Sequence, residues 1–172
     1  HQWYCYEHSC LIVNPFHDFR DSLFPMKSQK KYRLGIDLGG TKIEGVVLTS
    51  NNKILARKRI QTPSGSNQEQ SYSSIICAIV QLINQLENET KSLSDIGIGT
   101  PGTISSRTGL IKNSNTVCLN GKPLQQDIEQ ALGREIRIAN DANCFTLSES
   151  HDGAGAPYST VFGIIMGTGV GG

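Results

Sequence analysis

The residues of this sequence that could do chemistry begin at Asp37, a carboxylate that ends a short apolar segment. Gly39 and Gly40 follow, and they allow a backbone with positive φ and a close approach to a ligand. Thr41 then adds a hydroxyl donor, and Lys42 adds a positive charge. Consecutive free N–H groups in such a turn bind anions, and Asp37 can hold a hydrated Mg²⁺. The pattern predicts a turn that binds nucleotide phosphates, with a plain Gly-Gly hairpin turn as the alternative.

Two further polar turns follow short apolar segments, at residues 100–103 and 140–143. Ligands in open α/β sheets collect beyond the strand ends, so three such turns predict one shared crevice. Residues 167–172 match the pattern G-x-G-x-x-G, which is weak evidence when taken alone. A dinucleotide-binding fold needs an opening βαβ unit and an acidic residue about 20 positions later, beyond the last residue here. A second phosphate clamp that faces the first explains these glycines better.

Hydrophobic periodicity predicts the elements that must position these turns. The longest is a helix at residues 67–89, with Ser66 and Glu69 placed as a capping box at its start. A second helix has Pro123 at its first position and a stop at Gly133. The remaining predicted elements are three antiparallel strands at 32–38, 43–48 and 53–60, further strands at 95–99, 136–139 and 160–166, and a helix from the turn at 140–143 to about residue 150.

Composition restricts the class of protein. A length of 172 residues suits one domain, or one lobe of a larger protein. The net charge of +1 gives no reason to expect a nucleic-acid or acidic-lipid partner. The longest apolar runs, at residues 75–80 and 162–166, are too short to span a bilayer. We therefore expect no membrane partner. Five scattered cysteines imply no disulfide framework, so we expect a cytoplasmic protein.

Residues 1–25 differ in kind from the rest of the sequence. They contain three of the four histidines and none of the 18 glycines. We expect a segment that is either non-native or disordered. The metal-binding alternative is weak, because the spacing of its candidate ligands matches no zinc pattern well. Those candidates are His1, Cys5, His8 and Cys10.

Four motifs together resemble those of the ROK family, which groups sugar kinases and related repressors on the actin/hexokinase ATPase fold. The motifs are residues 35–42, 97–102, 140–143 and 167–171, in the family's order and with its spacing. Within the family, residues 101–123 most resemble bacterial fructokinases that also accept mannose, whereas N-acetylglucosamine kinases look slightly more distant in this loop.

The resemblance implies an α/β, actin/hexokinase-like (ribonuclease H-like) ATPase lobe with a mixed sheet and flanking helices. Residues 26–152 would form this N-terminal lobe, and residues 153–172 would be a linker, then the first strand and phosphate loop of a truncated second lobe. MgATP and a sugar would bind between two lobes of the full-length protein. A structural zinc site would lie in the region downstream of residue 172, and the full-length protein would be a homodimer.

The resemblance also implies roles for individual residues. Asp141 would be the general base, for which the alternative is a helix cap formed by Asn140 or Asp141. For Asn115 and Thr116 the alternative to sugar contact is a loop held by side-chain-to-backbone hydrogen bonds. The implied ligand contacts are the ATP phosphates for Asp37, Gly39, Gly40, Thr41, Lys42, Gly167, Thr168 and Gly169, Mg²⁺ through water for Asp37, and the sugar for Gly102, Thr103, Asn115, Asn140 and Asp141.

The implied function is an ATP-dependent kinase that phosphorylates a hexose, with fructose expected first. An N-acetylglucosamine kinase or a glucokinase of the same family is the first alternative. A sugar-responsive repressor of the family is the alternative from another class, but it needs a helix-turn-helix ahead of Leu34, and the 33 residues there show no pair of amphipathic helices. An actin-like ATPase without a sugar substrate is the third, and the amide-rich residues 113–116 argue against it.

Overall fold

Five strands form the central sheet of the computed structural model, which describes residues 32–166 and 170–171. The strands are β1 (Tyr32–Leu38), β2 (Lys42–Thr49), β3 (Ile54–Gln61), β4 (Ser94–Thr100) and β7 (Arg137–Asn140), in the order β3-β2-β1-β4-β7. The first three form the predicted antiparallel meander, and β4 and β7 run parallel to β1. The sheet is therefore mixed, as predicted.

One face of the sheet is covered by the helix α1 (Gln68–Thr90). Leu34, Ile36 and Leu38 alternate along β1 and are fully buried, because every second side chain of a strand points to the same face. Gly45 of β2 pairs with Ile36, and a Cβ built on it would lie 2.5 Å from Leu86 Cδ1 of α1. The absence of a side chain at this position lets the helix pack closely on the sheet.

The start of α1 differs from the predicted capping box by one residue. Asn67 is the N-cap, with an extended backbone, and its Oδ1 accepts a hydrogen bond of 2.9 Å from Gln70 N. Gln70 Oε1 in turn accepts a hydrogen bond of 3.0 Å from Ser66 N. The prediction of Ser66 and Glu69 as the capping pair was therefore wrong, because an asparagine and a glutamine with the same spacing occupy the cap one residue later.

The second helix, α2 (Leu124–Leu132), ends as predicted at Gly133, which has a φ of +68°. Pro123 lies at the N-cap rather than at the first helical position, one residue from the prediction. The buried Tyr72 of α1 donates a hydrogen bond of 2.5 Å to Asp127 Oδ2 of α2. This contact fastens the two helices to each other on the same side of the molecule.

The far end of α1 is held by a buried carboxylate. Glu87 is 7% exposed, and its Oε1 accepts a hydrogen bond of 2.7 Å from Ser94 N at the start of β4. Its Oε2 pairs with Arg134 Nη2 at 2.5 Å. One side chain therefore connects the end of the helix to two strands, since Arg134 lies just before β7.

Smaller elements complete the described part of the chain. The region from residue 160 differs from the prediction, because only Ile165–Met166 is a strand and its partner is the short strand Val170–Gly171. Gly163 instead packs against the helix α3 (Asp141–Asp152), where an added Cβ would lie 2.1 Å from Thr146 Oγ1. The smaller elements are β5 (Thr103–Ile104), β6 (Ile111–Lys112), a 3₁₀ helix (Val117–Leu119), α3 (Asp141–Asp152), β8 (Ile165–Met166) and β9 (Val170–Gly171).

The described residues contain neither a membrane-spanning helix nor a cluster of metal-binding side chains. Neither the long helix α1 nor any other described helix has the length and apolar character needed to cross a membrane. Over residues 32–166 and 170–171, no group of three or more histidine, cysteine or acidic side chains could hold a metal ion. The candidate ligands at residues 1–10 lie outside the described part of the chain.

Candidate functional site

The three predicted polar turns lie at the same edge of the sheet. Because β1, β4 and β7 are parallel, their C-terminal ends are adjacent. Asp37 is in register with Gly99, and Thr100 is in register with Asn140. Asp141 follows directly as the first residue of α3. The structure thus brings together residues from three turns, which are more than 100 positions apart at their extremes.

Cys144 provides an electrostatic measure of this convergence. Burial raises the pKa of the Cys144 thiol to about 11, and the negative charges of Asp141 and Asp37 add to the effect. Two carboxylates more than 100 positions apart in the sequence therefore lie close enough to raise the pKa of one thiol. The sequence prediction missed Cys144, although its position three residues after Asp141 placed it on the same face of a predicted helix.

The turn between β1 and β2, residues 39–42, is held at its base and exposed at its tip. Gly39 N donates to Lys42 O at 2.9 Å across the turn. Thr62, which follows β3, donates through Oγ1 to Gly39 O at 2.8 Å and through its N–H to Thr41 O at 2.9 Å. Gly40, Thr41 and Lys42 are exposed, so this end of the turn is accessible to a ligand. Thr62 was missed because it lies in a segment that reads as an ordinary loop.

The reason for the two glycines differs from the one expected. Neither Gly39 nor Gly40 has a positive φ, so that part of the prediction was wrong. Close approach accounts for Gly39 instead. A Cβ on Gly39 would lie 3.0 Å from Lys42 O, and a Cβ on Gly40 would lie 3.4 Å from Thr116 Oγ1. The turn is therefore packed tightly within itself, whereas a side chain at position 40 would make an ordinary van der Waals contact with the loop at residues 113–116.

A pair of arginines stabilises the strand beside the turn. Glu44 of β2 is in register with Asp37 and is 6% exposed. Arg57 and Arg59 of β3 both form ion pairs with its carboxylate. Burial acts to raise the pKa of Glu44, but the two guanidinium groups outweigh burial and hold this pKa below its usual value. Glu44 therefore remains ionised and joins β2 to β3 next to the turn.

Gly102 occupies a position that requires glycine. Its φ is +83°, and an added Cβ would lie 2.6 Å from Lys112 O and 2.9 Å from both Cα and N of Ser114. Its carbonyl accepts a hydrogen bond of 2.7 Å from Asn140 Nδ2. Asn140 Oδ1 also accepts from Asn143 N at 3.2 Å, so Asn140 caps α3. Asn140 therefore forms the helix cap that was the alternative prediction for it. The same side chain also connects two of the three turns.

Asp141 lies in the first turn of α3, and it is half-buried. One of its oxygens, Oδ1, accepts a hydrogen bond of 2.8 Å from Ala142 N. This carboxylate lies at the positive end of the helix dipole. Asn140 rather than Asp141 is the helix cap. Asp141 lies in the first turn, where its carboxylate can contact a ligand.

The amide-rich loop at residues 113–116 is held by its own side chains. Ser114 is buried, its N–H donates to Asn120 Oδ1 at 2.8 Å, and its carbonyl accepts from Asn120 Nδ2 at 2.8 Å. Thr116 N donates to Ser114 Oγ at 3.1 Å. Asn115 between them is exposed and takes part in none of the described hydrogen bonds. Side-chain-to-backbone hydrogen bonds therefore hold this loop, and the exposed amide of Asn115 can contact a ligand.

Ligand contacts were also predicted for Thr103 and for residues 167–169. Thr103 pairs with Lys112 in the small hairpin of β5 and β6, directly after Gly102. Gly167, Thr168 and Gly169 lie outside the described residues, so the second phosphate clamp stays a prediction.

Comparisons with known proteins match most of this chain. The ROK family profile matches residues 33–172. N-acetyl-D-glucosamine kinase of Haemophilus influenzae (strain 86-028NP) is 39% identical over 138 residues, which are 80% of this chain and 44% of the relative. The N-acetyl-D-glucosamine kinase of Pasteurella multocida (strain Pm70) is also 39% identical, over 81% of this chain and 44% of its own length. The chain thus spans less than half the length of these relatives.

Solved structures show the same fold. The inorganic polyphosphate/ATP-glucomannokinase from Arthrobacter sp. strain KM superimposes with a TM-score of 0.64 and 30% identity, over 81% of this chain and 56% of that chain. A ROK family glucokinase from Streptomyces griseus, solved with glucose and AMPPNP, has a TM-score of 0.61 and 26% identity, over 81% of this chain and 43% of that chain. These matches confirm the predicted hexokinase-like α/β fold.

Proposed function

Since this chain belongs to the ROK family, we propose that the full-length protein is an ATP-dependent kinase that transfers the γ-phosphate to a sugar hydroxyl. One observation carries the proposal. Asp37, beside an exposed Gly-Gly-Thr-Lys turn, and Asp141, at the start of α3, converge on the same edge of the sheet. Phosphoryl transfer requires mostly positioning and charge stabilisation, and such a site supplies both.

The turn at residues 39–42 supplies the phosphate contacts in this proposal. Its tip is exposed, it carries the hydroxyl of Thr41 and the ammonium group of Lys42, and Thr62 holds its base. The residues present fit a nucleotide with Mg²⁺, because Asp37 is a half-buried carboxylate next to these donors. Bound Mg²⁺ would neutralise negative charge on the phosphates, and Asp37 would hold it through water.

Asp141 is the general base in this proposal. Its carboxylate lies at the start of α3, on the sheet edge that also carries the phosphate turn, and in this proposal it accepts the proton of a sugar hydroxyl. Asn140, at the start of the same helix, donates a hydrogen bond to Gly102 O. This bond holds the turn at residues 100–103 at a fixed distance from the start of α3. Gly102, Thr103, Asn115 and Asn140 remain the proposed sugar contacts.

The sugar that we propose first is N-acetyl-D-glucosamine. The curated relatives given above are N-acetyl-D-glucosamine kinases, which supports this alternative better than the fructose preference expected from the loop at residues 101–123. Fructose stays the second candidate, on the resemblance of that loop alone. The ratio of kcat/KM for the two sugars in the full-length protein decides between them. The zinc site, the homodimer and the cytoplasmic location stay predictions.

The decisive experiment compares Asp141→Asn with the wild-type full-length protein in an assay of sugar-dependent ADP formation. General-base catalysis contributes about 10²–10⁴-fold, so we expect kcat to fall by that factor while the KM values for ATP and sugar change little. Asp152→Asn, at the exposed far end of α3, is the matched control and should leave kcat unchanged.

Two results would contradict the proposal. If Asp141→Asn keeps more than a tenth of the wild-type rate, Asp141 serves only the start of the helix. If the wild-type protein binds sugar but forms no ADP with any hexose tested, the kinase assignment fails and the repressor alternative gains.

A further inference from the structure

The hydroxyl of Thr116 is buried without a hydrogen-bond partner among the described residues. The backbone of Thr116 is held in place, since its N–H donates to Ser114 Oγ at 3.1 Å and its carbonyl accepts from Leu119 N at 3.0 Å. A buried hydroxyl that makes no hydrogen bond costs free energy, and in a native structure it calls for an explanation. Its position next to the proposed phosphate turn suggests one.

Gly40 lies directly opposite this hydroxyl. A Cβ built on Gly40 would be 3.4 Å from Thr116 Oγ1, so this hydroxyl is the neighbour that a side chain at position 40 would contact. The hydrogen bonds described for the turn use Gly39 and the carbonyls of Thr41 and Lys42, and none of them involves Gly40. The buried hydroxyl of one loop therefore lies beside an exposed peptide group of another, which is accessible to a ligand.

We propose that Thr116 is a positioning residue that couples the sugar loop at residues 113–116 to the phosphate turn at residues 39–42. A threonine hydroxyl can rotate, so it can donate to Gly40 O or accept from Gly40 N–H. Binding of phosphates at the exposed tip of the turn moves the peptide of Gly40 into hydrogen-bond distance. No hydrogen bond described in residues 32–166 joins these two loops directly, so the proposed bond would be the first direct link described between them. The inference rests on the proposed function of the site.

The coupling has a measurable consequence. If nucleotide binding forms the bond between Thr116 and Gly40, the sugar loop is held more firmly in the nucleotide complex. Coupling between two binding sites is reciprocal, so the sugar must also raise the affinity for the nucleotide. Thr116 supplies the described contact through which this effect can pass.

The test is a titration of the full-length protein with Mg²⁺-AMPPNP, with and without a saturating concentration of the sugar that it phosphorylates. Thr116→Val keeps the shape of the side chain and removes the hydroxyl, whereas Thr116→Ser keeps the hydroxyl. We expect Thr116→Val to reduce the sugar-induced gain in AMPPNP affinity by about 3–10-fold, the effect of one neutral hydrogen bond. Thr116→Ser should restore most of the gain.

A second measurement excludes a purely structural role. Because the hydroxyl is unsatisfied in the free protein, Thr116→Val should unfold at the same denaturant concentration as the wild type, or at a higher one. Thr90→Val is the matched control, since Thr90 Oγ1 donates to Leu86 O at 3.0 Å near the far end of α1. That variant should be less stable but should show normal coupling.

The outcomes separate this inference from the proposed function. Wild-type ADP formation tests the proposed function by itself. With an active wild-type protein, unchanged coupling in Thr116→Val would overturn the inference and leave the kinase assignment intact. A loss of stability in Thr116→Val that Thr116→Ser does not restore would also overturn it, because packing rather than the hydroxyl would then be responsible.

Discussion

Gly102→Ala is the substitution that most directly tests how this site is built. Gly102 has a φ of +83° and lies where the chain passes from β4 into the small hairpin of β5 and β6. Its missing side chain leaves room for the backbone of Lys112 and of Ser114. An alanine here must therefore both adopt an unfavourable backbone conformation and displace main-chain atoms.

The expected loss of stability has two parts. The left-handed conformation costs a non-glycine residue roughly 1–2 kcal/mol. A Cβ at 2.6 Å from Lys112 O and 2.9 Å from Ser114 N cannot be accommodated by turning a side chain, since both contacts are main-chain atoms. Overpacking of this kind costs typically about 1–3 kcal/mol. We therefore expect the free energy of unfolding to fall by about 2–5 kcal/mol.

Gly133→Ala provides the matched control. Gly133 has a similar φ of +68° at the end of α2, but nothing lies within 4 Å of an added Cβ. Its substitution should cost only the backbone part, about 1–2 kcal/mol. Denaturant unfolding of the wild type and the two variants gives the difference, which isolates the clash around Gly102.

The same displacement should affect catalysis. Moving Ser114 shifts the exposed Asn115, and moving the carbonyl of Gly102 weakens its bond to Asn140. A misplacement of about 1 Å can cost roughly 10²-fold in rate, so kcat/KM for the sugar should fall by at least about 10-fold. Gly133→Ala should leave it unchanged. If the two variants lose equal stability and keep equal kcat/KM, close packing around Gly102 does not position the sugar loop.

Two further predictions concern Glu87 and Cys144. Glu87→Gln should reduce the free energy of unfolding by about 3–5 kcal/mol in denaturant melts, because it removes the charge that pairs with Arg134 inside the protein; a loss below about 1 kcal/mol would show that this ion pair does not hold α1. Cys144 has a pKa raised to about 11, so its neutral form is favoured in the folded state, and the stability that it contributes should be lost as the pH rises from about 9 to about 11. Cys144→Ala should remove that part of the pH dependence, and its persistence would contradict the assignment.

Much of the fold could be predicted because it depends on local patterns. The three-strand meander and the long helix follow from apolar residues that recur every second or every third to fourth position. Gly133 ended α2 as expected, since glycine readily adopts the left-handed conformation there. The prediction of a strand at residues 160–166 was wrong because a β-branched run becomes a strand only when another strand pairs with it, and residues 160–164 pack against α3 or lie exposed.

The sequence by itself determined where polar turns follow apolar strands and which side chains those turns carry, because these features are set by neighbouring residues. Only the tertiary structure decided which side chains meet. The hydrogen bond from Asn140 to Gly102 joins residues 38 positions apart. The charge of Asp37 raises the pKa of Cys144, which lies more than 100 positions further along the sequence. Such contacts depend on the parallel register of β1, β4 and β7, which no local pattern encodes. The hydroxyl of Thr116 belongs to the same class, since its importance comes from Gly40, which lies next to it only in the folded protein.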